Sequence, residues 1–398
     1  MRTAAFRLML AVTVLGFGGH ALLLPVLPLW VSRAGSGEFG AGATTGVFML
    51  TTVLTQLAVP WLLRVLGYRA VFASGLVLLA APTPFVLGTA ELGPVLALNA
   101  VRGIGFGLIT VAGSALVAEL VPPAEHGRAS SRYGLAIGIP GLALLPLGVA
   151  TVDALGFTGV FWTATASPLL AALLVPFLRA TSPTPRRHAS DPGVEELARS
   201  EAGVDRVSPD PVAGRRAFVL AGLGPMAAML AGSVAQGGLT TFLPLVAPGA
   251  GVAVPVALFA LALGGVLGRG VAGPLVDRRG PGRLLLPGGV LSALGMGVEL
   301  LAVGLSPWLL VPGALAVGLG FGLVQNDSLV ALFAAAGPAR YGAASAAWNI
   351  GFDAGTGAGA SGLGAVAQPF GFRAAFGVAA LLLLATTPLT RRRSSPTP

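Results

Sequence analysis

Gly105-Phe106-Gly107-Leu108-Ile109-Thr110-Val111-Ala112-Gly113 recurs as Gly320-Phe321-Gly322-Leu323-Val324-Gln325-Asn326-Asp327-Ser328, an offset of 215 residues. The same offset aligns Pro123 with Pro338 and Gly127 with Gly342. One residue further out, Leu27-Pro28-Leu29-Trp30 falls on Leu243-Pro244-Leu245-Val246, and His20 on Gln236. Matches at nearly one offset, placed symmetrically about the middle of the chain, indicate two copies of one unit.

The composition says what that unit is made of. Of 398 residues 55% are hydrophobic and only 10% charged, whereas soluble chains carry about 25% charged residues. A water-soluble enzyme and a disordered chain are both excluded. A spanning helix takes about 20 apolar residues, and the breaks between apolar runs delimit twelve: 6–31, 42–63, 70–90, 93–120, 133–153, 158–178, 217–240, 252–275, 284–304, 307–335, 342–366 and 374–390. Gly 59 and Pro 31 are far too many for soluble helices but suit spans whose neighbours approach closely. The first run, through Val31, is too long for the core of a signal peptide and reads as a span.

The organisation follows: a six-helix bundle over 1–178, a polar linker over 179–216 with a short helix at Val194-Glu195-Glu196-Leu197-Ala198-Arg199-Ser200, a second six-helix bundle over 217–390, and a tail over 391–398. The fold class is an all-α membrane protein, twelve transmembrane helices in two pseudo-symmetric six-helix bundles. Parallel repeats of this kind mark transporters whose halves rock about a central site. Arginine placement gives the orientation. Arg2, Arg7, Arg64, Arg69, Arg128, Arg132, the linker arginines, Arg278, Arg279, Arg283, Arg340 and Arg391–Arg393 all fall on one side, and only Arg33 and Arg373 on the other. By the positive-inside rule both termini are cytoplasmic, in a multi-pass protein of the cytoplasmic membrane. The net charge of +9 therefore reads as topology, with the lipid bilayer as partner and no nucleic acid. With Cys 0 and three scattered histidines, neither a metal site nor a disulfide framework is expected, and no cofactor. No phosphate-binding loop for a nucleotide is present in the sequence.

Between spans eight and nine runs Gly273-Pro274-Leu275-Val276-Asp277-Arg278-Arg279-Gly280-Pro281-Gly282-Arg283. Gly273 would let two helices approach, Asp277 would form a charge-assisted clasp among arginines, and Gly280 and Gly282 would permit a tight turn. The segment resembles the G-x-x-x-D-R-x-G loop of the major facilitator superfamily. That resemblance, extending over essentially the whole chain, implies the fold just described, alternating access, and a clasp of Gly273, Asp277, Arg278, Gly280 and Arg283 that locks the halves in one state. The first-half counterpart, Pro60 to Arg69, has Leu63 where Asp277 stands, so its clasp is lost or re-made with Glu119. Pro122 to Ala129 is similar to the family's P-x-x-x-R-G-R-A loop with His126 for the first Arg. Asn99-Ala100-Val101-Arg102-Gly103-Ile104-Gly105 resembles the family's R-x-x-Q-G-x-G helix with Asn99 at the Arg position and Arg102 at the Gln position. The fifth span, Gly134 to Gly148 with Pro140 and Pro146, only loosely resembles the G-x-x-x-G-P motif of proton-driven exporters.

Charges inside lipid cost about 2.5 kcal/mol upward at mid-helix and are functional candidates by default. The expected substrate and proton cavity comprises His20, Asn99, Arg102, Gln236, Asp327, Asn349 and Asp353, with Trp348 beside them. Asn99 and Arg102 share a helix face, as do Asn349 and Asp353. Each has a plainer reading: His20 as a neutral structural group, Arg102 as a cation held by carbonyls, Asp327 as a cap at a local helix break, Asp353 as a tie between the halves. Asp327 ranks ahead of Asp353 as the proton-coupling carboxylate. The sequence thus reads as a monomeric secondary transporter and not an enzyme. The expected activity is proton-coupled export of a small amphipathic or drug-like compound. The alternatives are a proton symporter importing an organic anion held by Arg102 and, remotely, a membrane-embedded enzyme or receptor.

Overall fold

A computed structural model describes residues 4–89, 91–121, 126–178, 211–247, 249–337 and 340–390. Residues 179–210 of the linker expected over 179–216, with its short helix, Pro122–Glu125 and the tail 391–398 lie outside the described residues. No strand occurs among the described residues.

Among the described residues nine apolar helical stretches are long enough to span a bilayer, but three of them run to 63, 46 and 47 residues. At 1.5 Å per residue the shortest of these would extend about 70 Å, over twice the ~30 Å hydrocarbon core. Each reverses instead. The first turns at Gly35 and Gly37 (φ 94° and 65°), the second at Gly156 (φ 65°, ψ 172°) and the third at Gly371 (φ 79°, ψ 169°). A left-handed φ of this kind is open to glycine at little cost. Gly156 and Gly371 also stand 215 residues apart, so the repeat extends to the hairpin turns.

Dividing the three stretches at these glycines gives twelve helices. They are α1 (Ala4–Val31), α2 (Gly37–Leu66), α3 (Tyr68–Ala80, extended by the 3-10 turn Thr83–Gly88), α4 (Leu92–Leu120), α5 (126–155), α6 (157–174), α7 (Pro211–Val246), α8 (Ala253–Arg279), α9 (Leu285–Leu305), α10 (Leu310–Ala336), α11 (341–370) and α12 (372–390). Most boundaries lie within a few residues of the sequence expectation. The clearest differences are α5, which begins at 126 and not near 133, and α7, which begins at Pro211 and not near 217.

The repeated Gly-Phe-Gly is explained by packing. Gly105 of α4 lies against the α3 backbone at Gly75 and Leu79, while Gly103 and Gly107 lie against α2 at Phe48 and Thr52. In the second half Gly320 of α10 meets α9 at Gly288 and Ser292, and Gly318 and Gly322 meet α8 at Leu261 and Gly265. A methyl group on any of these would strike a neighbouring backbone. One helix wedged between two others by alternating glycines is the same device in both halves.

The buried cores show how the halves meet. At the end of the molecule far from the termini, one continuous core joins α1 (Leu22–Val31), α7 (Leu239–Leu245), α8 (Val254–Leu261) and α12 (Phe376–Leu383). Towards the end that carries the termini, the first half has its own core, from Phe6 through Phe72 and Ile109 to Leu178. The second half there has separate small clusters around Val324 and Val276. The halves are therefore closed together at the far face and part towards the terminal face.

Candidate functional site

The closed side is a seam between α2 and α11. Gly42 lies on the carbonyl of Ala360, Gly46 against Ser361 and Gly357, and Gly364 on the carbonyl of Glu38. The Phe39 amide donates to Gln368 Oε1 at 2.9 Å, and Thr45 and Thr241 share a hydrogen bond between α2 and α7 at 3.4 Å. At the terminal-face end of the seam, Gln56 Nε2 donates to Asp353 Oδ2 at 2.7 Å and to Thr110 Oγ1 of α4 at 3.3 Å. Gln56 and Asp353 are both buried. Gln56 Oε1 has no hydrogen-bond partner.

A second polar group sits between α1, α2 and α4. Asn99 and Arg102 are buried, and Arg102 is only 3% exposed. Asn99 Nδ2 donates to the Thr44 carbonyl at 2.6 Å, and Asn99 Oδ1 accepts from Arg102 Nη1 at 2.5 Å. Arg102 Nε donates to the Leu79 carbonyl at 3.4 Å, and its guanidinium lies 5.6 Å from the centre of the Phe48 ring. His20 stacks on Phe48 (4.9 Å) and on Phe106 (4.2 Å), which themselves lie 5.3 Å apart, so the three rings form a triangle. Together with Thr44 and Thr45 these residues line a cavity of about 20 Å³.

The structure thus brings His20, Asn99 and Arg102 together and places Asp353 apart from them, on the seam. Gln236 is half-buried on α7 with Oε1 unpartnered. Asn349 is exposed and donates to the Ser345 carbonyl one turn back. Trp348 donates from Nε1 to Ser328 at 3.0 Å and stacks on Phe352.

Asp327 departs from the expected cavity position. It is fully buried, and its two carboxylate oxygens accept the backbone amides of Gly282 and Leu284, each at 2.6 Å. Those amides belong to the approach to α9, where orphan N–H groups and the helix dipole favour an anion. α10 runs unbroken through Asp327, so it caps no local helix break; it accepts instead from the approach to another helix, α9. Its effect is to tie the α8–α9 loop to α10.

The loop itself turns at Gly280 (φ 81°) and Gly282 (φ 84°), as the sequence implied. Gly273 does not mediate a close approach, since a methyl group there would meet only Asn326, at an ordinary 4.0 Å. That contact belongs to Gly264 and Gly268, two turns earlier. Asp277 is exposed on the last turn of α8, with no hydrogen bond or ion pair among the described residues. The side chain of Glu119 lies outside the described residues.

Three residues escaped the sequence reading. Gln56 is a lone amide in an apolar run, a polar signal passed over in favour of charges. Arg269 is a lone mid-helix arginine on α8; it is exposed, bonds the Gly265 carbonyl at 3.2 Å and faces Gly138 of α5 across the halves. Glu299 is a lone carboxylate within the ninth span that the expected cavity did not include. It is fully buried on α9 against Gly313 of α10, and neither carboxyl oxygen has a partner.

An all-helical fold of apolar, membrane-length helices in two repeated bundles, closed at one face around buried polar groups, fits a multi-pass membrane transporter. The sequence matches the Major Facilitator Superfamily over residues 9–360, and the chain belongs to that family. Its members transport and are not enzymes, which accords with the fold. Two uncharacterized MFS-type transporters of Mycobacterium tuberculosis are each 29% identical over 145 residues, 36% of this chain and 21% of theirs. The matched stretch therefore spans about a fifth of the length of these curated relatives.

Solved structures share the fold. A mutant of the peptide transporter POT in complex with sulfate superposes with a TM-score of 0.76 at 18% identity, covering 97% of this chain and 94% of that one. A POT family transporter in complex with 5-aminolevulinic acid gives 0.73 at 15%, covering 97% and 94%. A bacterial homolog of the human lysosomal transporter Spinster, inward-facing and unoccupied, gives 0.71 at 16%, covering 97% and 95%.

Proposed function

We propose that the chain is a proton-coupled secondary transporter of the cytoplasmic membrane that exports a small amphipathic compound in exchange for protons. Arginine placement supports an orientation with both termini cytoplasmic, and the closed far face is then the outer one. On that orientation the open side faces the cytoplasm.

The observation that carries the reading is the Gln56–Asp353 hydrogen bond across the seam. Opening the outer face requires α2 and α11 to separate, so this bond forms in one state only and biases the equilibrium by its differential energy. An Asp353 carboxylate accepts a charge-assisted bond from Gln56, whereas a protonated carboxyl accepts only as a neutral, weaker partner and carries a donor as well. Proton uptake thus changes the latch. An exchanger must not switch when empty and deprotonated, because each such switch wastes gradient. A latch that holds the empty, ionised carrier open to the inside prevents that slip, while a symporter needs the same step in order to return. Asp353 accordingly takes the coupling role that the sequence assigned first to Asp327.

Substrate-dependent proton flux in proteoliposomes, across a panel of amphipathic compounds, tests this. Counterflow of protons against at least one compound, lost in Asp353→Asn, is the expected result. Proton-independent movement, or protons moving with the compound, would overturn it. Arg102 supports the second reading, symport of an organic anion, because it is a buried cation without a carboxylate partner among the described residues.

A further inference from the structure

From the pocket beside His20 and Arg102 we infer a binding site for a compact monoanion, of halide or carboxylate-headgroup size, in the first half of the molecule. The inference goes beyond the coupling reading and stands independently of Asp353.

Arg102 keeps its charge at any relevant pH, and burying an ion without compensation inside a membrane is costly. Yet its two hydrogen bonds from the guanidinium go to neutral acceptors, the Asn99 side chain and the Leu79 carbonyl. The guanidinium has five N–H donors, so donors remain beyond these two bonds. Neither terminal nitrogen is both fully enclosed and unpartnered, and Arg102 lines the cavity. Asp353, the buried carboxylate on the seam, is engaged by Gln56. The positive charge therefore lacks a counter-charge among the described residues.

The remaining wall suits an anion. Thr45 contributes a hydroxyl, His20 an imidazole stacked against Phe48 and Phe106, and Leu24 and Leu27 an apolar surround. Two of the tethers, Asn99 to Thr44 and Arg102 to Leu79, fix the guanidinium before any ligand arrives. Preorganisation of this kind lowers the ordering cost of binding. The size decides the class. About 20 Å³ is little more than the ~10–15 Å³ that one water requires. It admits a halide or the head of a carboxylate and excludes a whole amphipathic molecule. The anion is thus either a free halide or the carboxylate of a substrate whose body lies outside the pocket.

The test is thermal unfolding of the purified full chain in sodium gluconate, with chloride, bromide, acetate or benzoate titrated in. A ligand that binds only the folded state raises the midpoint in a concentration-dependent way. The expected result is a saturable rise of several degrees with at least one of these anions, absent in Arg102→Gln and retained in Arg269→Gln. A rise with halides assigns free halide as the occupant, and a rise with the carboxylates alone assigns a substrate headgroup. No saturable rise with any of the four, or a rise undiminished in Arg102→Gln, overturns the site. If Arg102→Gln fails to fold, bromide-soaked crystals of the wild type decide: an anomalous peak beside Arg102 supports the site. No peak together with no carboxylate response overturns it.

Discussion

Gln56 of α2 donates its side-chain amide to the carboxylate of Asp353 on α11, 2.7 Å away, where the two halves of the molecule part. The same amide reaches Thr110 on α4, so one side chain connects the seam to the helix that carries Arg102. Above it the seam is glycine against backbone, and contacts there need no titrating group. Gln56–Asp353 is the part of the seam whose strength a proton can alter.

Removing the latch without removing the seam should shift conformational populations. Gln56→Leu keeps the bulk and deletes the donor, so the outer face opens more often. Single cysteines are informative in this chain because Cys is 0. A cysteine replacing Thr45, buried under the seam, is expected to react several-fold faster with an impermeant thiol reagent from the outer side in Gln56→Leu than in the parent. An unchanged rate would mean that the bond contributes nothing to closure.

Closing the seam depends on the absence of a side chain at Gly42, whose Cα faces the Ala360 carbonyl. Gly42→Leu is expected to prevent outer closure and to abolish transport. The helices themselves should persist, because the obstacle lies between halves and not within one. Circular dichroism with transport measured on the same preparation checks this pair of outcomes.

Asp327 should behave as a cap and not as a proton carrier. Hydrogen bonds to charged groups contribute about 1.5–3 kcal/mol each, and Asp327 accepts two from the α8–α9 loop. Asp327→Asn is expected to lower unfolding stability by about 1–3 kcal/mol while leaving gradient-driven transport in the surviving protein. Chemical denaturation and proteoliposome flux measure the two halves of that statement.

Much of this fold was legible in the residues. The Gly-Phe-Gly repeat revealed two halves because each glycine meets a particular neighbour, and an identical packing problem selects identical residues. Spans were legible because apolar length is fixed by the bilayer. The site was legible only where charge marked it: His20, Asn99 and Arg102 lie on two helices, and their helical positions place them at similar depth. Gln56 was missed because an amide costs less in lipid than a charge, and its partner is 297 residues away. Asp327 was misplaced for a related reason. A buried carboxylate signals an unusual environment, but sequence spacing does not reveal that the amides of Gly282 and Leu284 supply it.

Glu299 is expected to be a stability cost confined to the α9–α10 contact. A methyl group at Gly313 would lie 2.7 Å from Glu299 Oε1, and overpacking of this kind costs about 1–3 kcal/mol. Gly313→Ala should therefore destabilise the parent, and much less so in a Glu299→Ala background, a coupling that a double-mutant cycle reads directly.

The central claim is that the protonation of Asp353 governs closure of the outer face, and one distance measures it. Spin labels at Phe39→Cys and Phe370→Cys, exposed at the outer ends of α2 and α11, report their separation by double electron–electron resonance without any substrate. In the ionised carrier Gln56 holds the seam and the short distance dominates. On acidification Asp353 takes up a proton, the bond from Gln56 loses its charge assistance, and a longer-distance population should grow. In Asp353→Asn, which cannot titrate, the distribution should be the same at every pH. A wild-type distribution indifferent to pH, or an Asp353→Asn variant that keeps the full pH response, would contradict the account.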